Sequence, residues 1–235
     1  MSIFSHKNNI FHHKNNIFKT SWKPSEISDL TFWSDIELKN LSINNNNIYR
    51  WIDKSGNYHN AIQQNILKQP TLSTYNNFNT IYFQNNDLLQ INLSLNYYTV
   101  ITVAYTLDND ILYEFGTDIT TNTGFYLSGD IPTIETAKNG NTSTSIKSYT
   151  NNWLSGNLKI ITHKYNGFHT GHTLYINDNY IPMSNTNINN PGILNSTDIF
   201  NIGGKYDGTG GINGHLLELI IFNRNININE QHNIL

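Results

Sequence analysis

The residues of this chain that could do chemistry are few and scattered. Its acids come closest together at Asp35-Ile36-Glu37 and at Asp108-Asn109-Asp110. A retaining glycosidase needs two carboxyl groups about 5–5.5 Å apart. On a strand, such acids stand two or four residues apart on one face. No Glu-x-Asp-x-x-Glu run occurs. Asp35 and Glu37 lie where the chain leaves its first strand, and Asp108 to Asp110 reads as a turn. Glu218 stands among apolar residues, so it is expected either to turn to a polar face or to pair with Arg224. There is no Gly-x-Ser-x-Gly elbow, His-Glu-x-x-His pair or phosphate loop. The chain contains no cysteine, which excludes disulfides and thiolate metal sites. The expectation is a protein that is not an enzyme.

Binding chemistry has more candidates. Asp207 sits in Tyr206-Asp207-Gly208-Thr209-Gly210-Gly211. A carboxylate and backbone oxygens in such a loop suit Ca²⁺, although a glycine-rich loop of this kind also serves simply to join strands. Asp108, Asp110 and Asp130 offer the same chemistry. No other cofactor is expected. Sugar binding uses aromatic rings against the apolar faces of sugars, with Asn and Asp hydrogen bonds around them. The aromatics placed near loops are Trp153, Tyr165, Phe168 and Tyr206. Trp153, Tyr206 and Asp207 are the candidate ligand contacts, and His169 and His172 are read as rim-packing residues.

The elements that must position these residues are strands. Short β-branched and aromatic runs alternate with Asn, Gly, Asp and Ser clusters, the pattern of an all-β sandwich. Tyr97 to Thr106 is apolar on both faces, which predicts a central strand covered on both sides. Leu158 to Tyr165 and Leu216 to Phe222 read similarly. Asn177-Asp178-Asn179 predicts a tight hairpin between Thr173–Ile176 and Tyr180–Ile181. Asn139 to Ser145 is expected to be a mobile loop. Asn227 to Leu235 predicts a short final helix, with Asn227 or Asn229 as its N-cap.

Three segments, taken together, resemble the concanavalin A-like, laminin-G-like jelly-roll superfamily. They are Trp22-Lys23-Pro24-Ser25 through Leu30-Thr31-Phe32-Trp33, then Trp51-Ile52-Asp53-Lys54-Ser55-Gly56-Asn57 through Asn60-Ala61, and Gly214 through Arg224. The middle segment is the most specific match. The resemblance covers residues 22–235 and implies an antiparallel two-sheet jelly-roll sandwich. In Asp53 to Asn57, Gly56 suits a positive φ and Asp53 can accept turn N–H groups, with Trp51 anchoring the turn to the core.

The remaining 21 residues form a separate arm. Ile3-Phe4 returns as Ile10-Phe11 and Ile17-Phe18, a period of seven. Residues 1–23 hold four lysines and no acid within a chain of net charge −3. The Ile-Phe pairs are candidate docking residues for a partner protein, and His6, His12 and His13 are read as solvated. The modest net charge does not imply nucleic acid. No apolar run reaches the ~18 residues of a membrane span, and no signal-peptide pattern is read at the N-terminus. Charged residues are only 13% of the chain and about one residue in six is Asn. Two functional expectations follow. One is a lectin-like structural component of a virion or other large intracellular assembly, docked through the arm; jelly-roll domains of this type resemble accessory proteins of large DNA viruses and phages. The other is a free carbohydrate-binding adhesion module, with Ca²⁺ assisting.

Overall fold

A computed structural model of the chain describes residues 23–107, 111–116, 124–128, 133–138, 141–148, 157–168, 171–185 and 192–234. The arm, with Ile3, Phe4, Ile10, Phe11, Ile17 and Phe18, lies outside the described residues. So do Trp153, His169, Asp108, Asp110 and Asp130.

The strands in chain order are β1 (Leu30–Asp35), β2 (Leu41–Asn44), β3 (Asn47–Trp51), β4 (Ala61–Ile62), β5 (Thr71–Tyr75), β6 (Phe78–Phe83), β7 (Leu89–Leu95), β8 (Tyr98–Thr106) and β9 (Ile111–Phe115). They continue with β10 (Gly124–Ser128), β11 (Thr133–Lys138), β12 (Asn141–Ser148), β13 (Lys159–Tyr165), β14 (Thr173–Ile176), β15 (Asn179–Ile181), β16 (Met183–Asn185), β17 (Ser196–Ile202) and β18 (Gly214–Phe222). Helix α1 (Ile228–Ile234) closes the chain. Every strand pairs antiparallel with its neighbours.

The strands form two layers. In the first, β18 lies between β8 on one side and both β6 and β1 on the other, and β13, β14 and β15 extend it beyond β8. In the second, β7, β17, β9, β10, β11 and β12 run side by side. The layers join where Asn47 of β3 pairs with Thr71 of β5. The expected all-β sandwich with a short C-terminal helix is the observed fold.

Tight turns account for part of the asparagine excess. Asn45-Asn46, Asn76-Asn77 and Asn177-Asp178 each occupy a two-residue connection with both φ values positive. That is the requirement of a hairpin turn whose twist matches its strands, and Asn meets it at less cost than other non-glycine residues. The stretch expected to be a mobile loop, Asn139 to Ser145, is strand from Asn141 onward, because β11 and β12 pair from Thr133–Lys147 to Lys138–Asn141; Asn139 and Gly140 lie outside the described residues. Thr142, Thr144 and Ile146 favour strand, and Asn139-Gly140 is a strong hairpin signal.

The core lies between the layers. Phe32, Val100, Leu219 and Ile221 from the first layer are fully or almost fully buried, as are Ile91, Phe115, Phe125 and Phe200 from the second. One polar network crosses it. His163 Nε2 lies 3.1 Å from the Tyr98 hydroxyl, and His163 Nδ1 lies 3.0 Å from the Tyr113 hydroxyl. Tyr98 also meets Thr136 Oγ1 at 3.1 Å. Tyr165, read from sequence as loop-proximal, is instead a core residue whose hydroxyl donates to the Gly192 carbonyl at 2.9 Å. His172 is likewise no rim residue. It is buried, stacks on Tyr165 at 4.6 Å, and neither ring nitrogen has a partner among the described residues.

The clamp that opens the sheet is built on Asp53. Its Oδ1 accepts from the Trp33 and Ser55 N–H groups at 3.1 and 2.8 Å, and its Oδ2 accepts from Ser55 Oγ and the His59 N–H at 2.8 and 2.9 Å. Asn57 Nδ2 donates to the carbonyls of Leu30 and Thr31. Gly56 has φ of 94°, and Trp51 is fully buried with its Nε1 donating to the Asp35 carbonyl at 2.7 Å. The loop is thus stapled to β1, as its sequence implied. Asn227 caps α1 as expected, because the Glu230 N–H donates to its Oδ1 at 2.9 Å while its own N–H donates to Glu230.

Two stability predictions follow from these buried groups. Asp53→Ala leaves three backbone N–H groups without their acceptor, at about 1–3 kcal/mol for each that stays buried. A total loss of roughly 3 kcal/mol is expected in urea unfolding, with Asp53→Asn intermediate. For His172, burial depresses the imidazole to about 3. The unfolded imidazole titrates near ~6.5, so below that pH the unfolded state binds the extra proton and stability falls. His172 is expected to remove about 2 kcal/mol between pH 7 and pH 5, and His172→Phe should abolish that part of the pH dependence.

Candidate functional site

Two of the sequence candidates are described, and they lie together on the loop between β17 and β18. Tyr206 is 44% exposed, and its N–H donates to Glu114 Oε2 of the second layer at 2.7 Å. Asp207 Oδ1 accepts from the N–H and Oγ1 of Thr209 at 2.8 and 2.7 Å. These hydrogen bonds hold the Asp207 carboxyl below its ordinary range. Among the described residues, no three His, Cys, Asp or Glu side chains gather to hold a metal ion. Both of these contacts of the Asp207 carboxylate lie within its own turn. Lys68 Nζ, donating to the Asp207 carbonyl at 3.2 Å, ties that turn to the loop before β5.

A different constellation stands out on the outer face of the first layer. Tyr82 of β6, His215 of β18 and Tyr105 of β8 are consecutive cross-strand partners. Their rings stack in series, with centroids 4.7 Å apart for Tyr82–His215 at 29° and 6.0 Å apart for His215–Tyr105 at 14°. Tyr75, from the end of β5, lies 4.9 Å from Tyr105 and 5.2 Å from His215. All four residues are partly exposed. Two strand spacings give the row a length of ~10 Å. Thr80 Oγ1 fixes His215 by a contact of 2.9 Å to Nδ1. The other ring nitrogen has no partner among the described residues, so it can meet a ligand hydroxyl. Gln84 Nε2 donates to the Tyr82 hydroxyl at 3.4 Å and brings a carboxamide to the rim.

The electrostatics of this shelf are neutral. β5, β6 and β8 contain no Lys, Arg, Asp or Glu. In β18 the acid is Glu218, whose Oε1 accepts from Trp33 Nε1 at 2.9 Å. Burial pushes the His215 imidazole down, so it is neutral at pH 7. Burial and the nearby Tyr75 phenol push the Tyr105 hydroxyl up, so it too is uncharged. Such a surface offers π faces, hydroxyls and a neutral imidazole, which suits a polar, uncharged ligand with apolar patches.

A bulge creates the shelf. The register of β18 against β8 shifts between Leu216 and Glu218. Simple alternation would put His215 and Glu218 on opposite faces. With one residue bulged, Glu218 pairs with Val103 and His215 with Tyr105, on the same outward side. Glu218 itself is fully buried and accepts from Trp33, so of its two expected placements the pairing with Arg224 is replaced by a bond to an indole. Arg224 instead grips Glu230 through two nitrogens, at 2.9 and 2.6 Å, and lies 3.3 Å from Asp29. The carboxylate comes from α1, six residues on, and is the same one that caps the helix.

No protein-family model matches the chain, and no curated protein matches it. Solved structures do. Domain 4 of AbnA, a GH43 extracellular arabinanase from Geobacillus stearothermophilus solved in complex with arabinotriose, matches with a TM-score of 0.61 at 13% identity, over 88% of this chain and 98% of that one. The binding domain of Paraclostridial Mosquitocidal Protein 1 matches with a TM-score of 0.58 at 18% identity, over 90% of this chain and 52% of that one. Trypanosoma rangeli sialidase in complex with sialic acid matches with a TM-score of 0.58 at 13% identity, over 88% of this chain. This chain spans 32% of the sialidase's length. At these identities the likeness is one of fold, and the chain is a β-sandwich of the architecture these three proteins contain.

Proposed function

We propose that this chain is a non-catalytic carbohydrate-binding β-sandwich that stacks a neutral oligosaccharide on Tyr75, Tyr82, Tyr105 and His215. The observation that carries this reading is the row of stacked, partly exposed rings on strands whose one acid, Glu218, is buried. Its length suits two or more sugar units. The fold likeness to a domain solved with arabinotriose supports it, as does the sequence resemblance to concanavalin A-like, laminin-G-like domains. The non-catalytic part of the reading rests on how the acids near the first strand are used. Asp35 is held by Asn40 and Lys54, and Glu218 by Trp33. Both carboxyls are engaged by neighbours within the fold, and neither is paired with a second carboxyl across an open cleft.

The arm adds a second role to the same reading. Three Ile-Phe pairs at a seven-residue period, in a stretch with four lysines and no acid, suit docking on a larger assembly such as a virion. Deleting residues 1–21 is expected to abolish incorporation into that assembly and to leave the sandwich folded and sugar binding intact. A truncated protein that still assembles would remove the arm from this account.

Isothermal titration with neutral arabino-, gluco- and galacto-oligosaccharides tests the binding site. Saturable binding is expected, equal in Ca²⁺ and in chelator. Tyr82→Ala and Tyr105→Ala should each weaken it about tenfold, since one lost ring stack is worth roughly 1–1.5 kcal/mol. Absence of binding to all three classes, or equal binding by both variants, would sink the proposal.

A further inference from the structure

We infer that Lys54 and Asp35 are poised to form an intramolecular isopeptide cross-link, with Glu218 relaying the protons. Lys54 Nζ contacts Asp35 Oδ2, and the side chains are 20% and 0% exposed. The ammonium also lies 3.9 Å from the centroid of the Trp33 ring, so an aromatic wall holds it on the carboxyl. Asp35 is the direct cross-strand partner of Glu218. Glu218 is fully buried, and Trp33 Nε1 donates to it at 2.9 Å. An amine and two buried carboxyls are thus gathered beside one indole.

The carboxyl that would be attacked is also prepared. Asp35 Oδ1 accepts from Asn40 Nδ2 at 2.6 Å and from the Glu37 N–H at 3.0 Å. Two donors on that oxygen stabilise the negative charge that develops on it when the carbonyl carbon becomes tetrahedral. Oδ2, the oxygen in contact with Lys54, is the one that departs. The Trp51 indole, donating to the Asp35 carbonyl, fixes the backbone beneath.

The reaction balances without any co-reactant. The ammonium first passes one proton to Asp35 Oδ2, giving a neutral amine beside a neutral acid. The amine lone pair attacks Cγ, and a C–N bond forms. Glu218 takes a proton from the attacking nitrogen and delivers it to Oδ2. The C–Oδ2 bond breaks, one water leaves, and Oδ1 remains as the amide carbonyl. Holding the three groups in place supplies the effective concentration that the same reaction lacks in water. The product would tie the loop of Asp53 covalently to β1 in a chain without cysteines.

Intact-mass spectrometry of the purified, folded full-length chain tests this. The wild type is expected to be lighter than its sequence mass by one water. A digest should yield one species that joins the peptide carrying Asp35 to the peptide spanning Lys54, with cleavage after Lys54 lost. Lys54→Met and Glu218→Gln should both return to full sequence mass, with circular dichroism confirming that each is folded. A wild type at full sequence mass after prolonged incubation would overturn the inference. So would a water deficit that persists in Lys54→Met.

Discussion

One carboxylate organises the first layer of this sandwich. Asp53 gathers four donors, three of them backbone N–H groups from positions as far apart as Trp33 and His59. A buried anion is costly unless its hydrogen bonds are made, and here they are made to main chain that would otherwise lack partners. The loop therefore has one conformation, pressed on β1. That conformation is firm enough to hold Tyr58 at φ of 63°, a region bulky side chains rarely occupy. From it follow the seat of Lys54 on Trp33 and the contact of Trp33 with Glu218.

The same constraint decides which part of the outer face stays open. Trp33, Lys54 and Glu218 occupy its centre. At one end the C-terminal segment lies over it: the Ile226 N–H donates to Thr99 Oγ1, and Gln231 reaches Asp178. Ile226 and Ile234 are buried there. The corner where β5, β6, β18 and β8 meet stays open, and it carries Tyr75, Tyr82, His215 and Tyr105. The shelf is thus an open part of the outer face, clear of both the clamp and the helix.

Much of the fold was legible because its signals are local. Trp51 to Asn60 announces a capped turn, Tyr97 to Thr106 a doubly covered strand, and Asn227 to Glu230 a helix start; each specifies its structure from neighbours in sequence. The shelf was not legible. Its members come from four strands spread between residues 75 and 215, and one of them reaches the outer face only through a bulge that no alternation pattern reveals. Loops commonly carry function, which favours Tyr206 and Asp207 in a reading of the sequence; in the fold the Tyr206 N–H bonds Glu114 of the second layer, and the Asp207 carboxylate bonds Thr209 of its own turn. Tyr165 and His172 were misplaced for a related reason. Polar side chains in a segment flanked by glycine read as rim, whereas Tyr165 finds a backbone partner in the core and His172 is buried against it.

Whether ligand meets the protein on the shelf can be read residue by residue by nuclear magnetic resonance. The ring and backbone signals of Tyr75, Tyr82, Tyr105 and His215 would be followed while a neutral oligosaccharide is titrated into the intact chain. Saturable shifts are expected at these four residues and at Gln84, with Tyr206 and Asp207 unmoved. Shifts confined to the loop of Tyr206 and Asp207, with the four shelf residues silent, would contradict it.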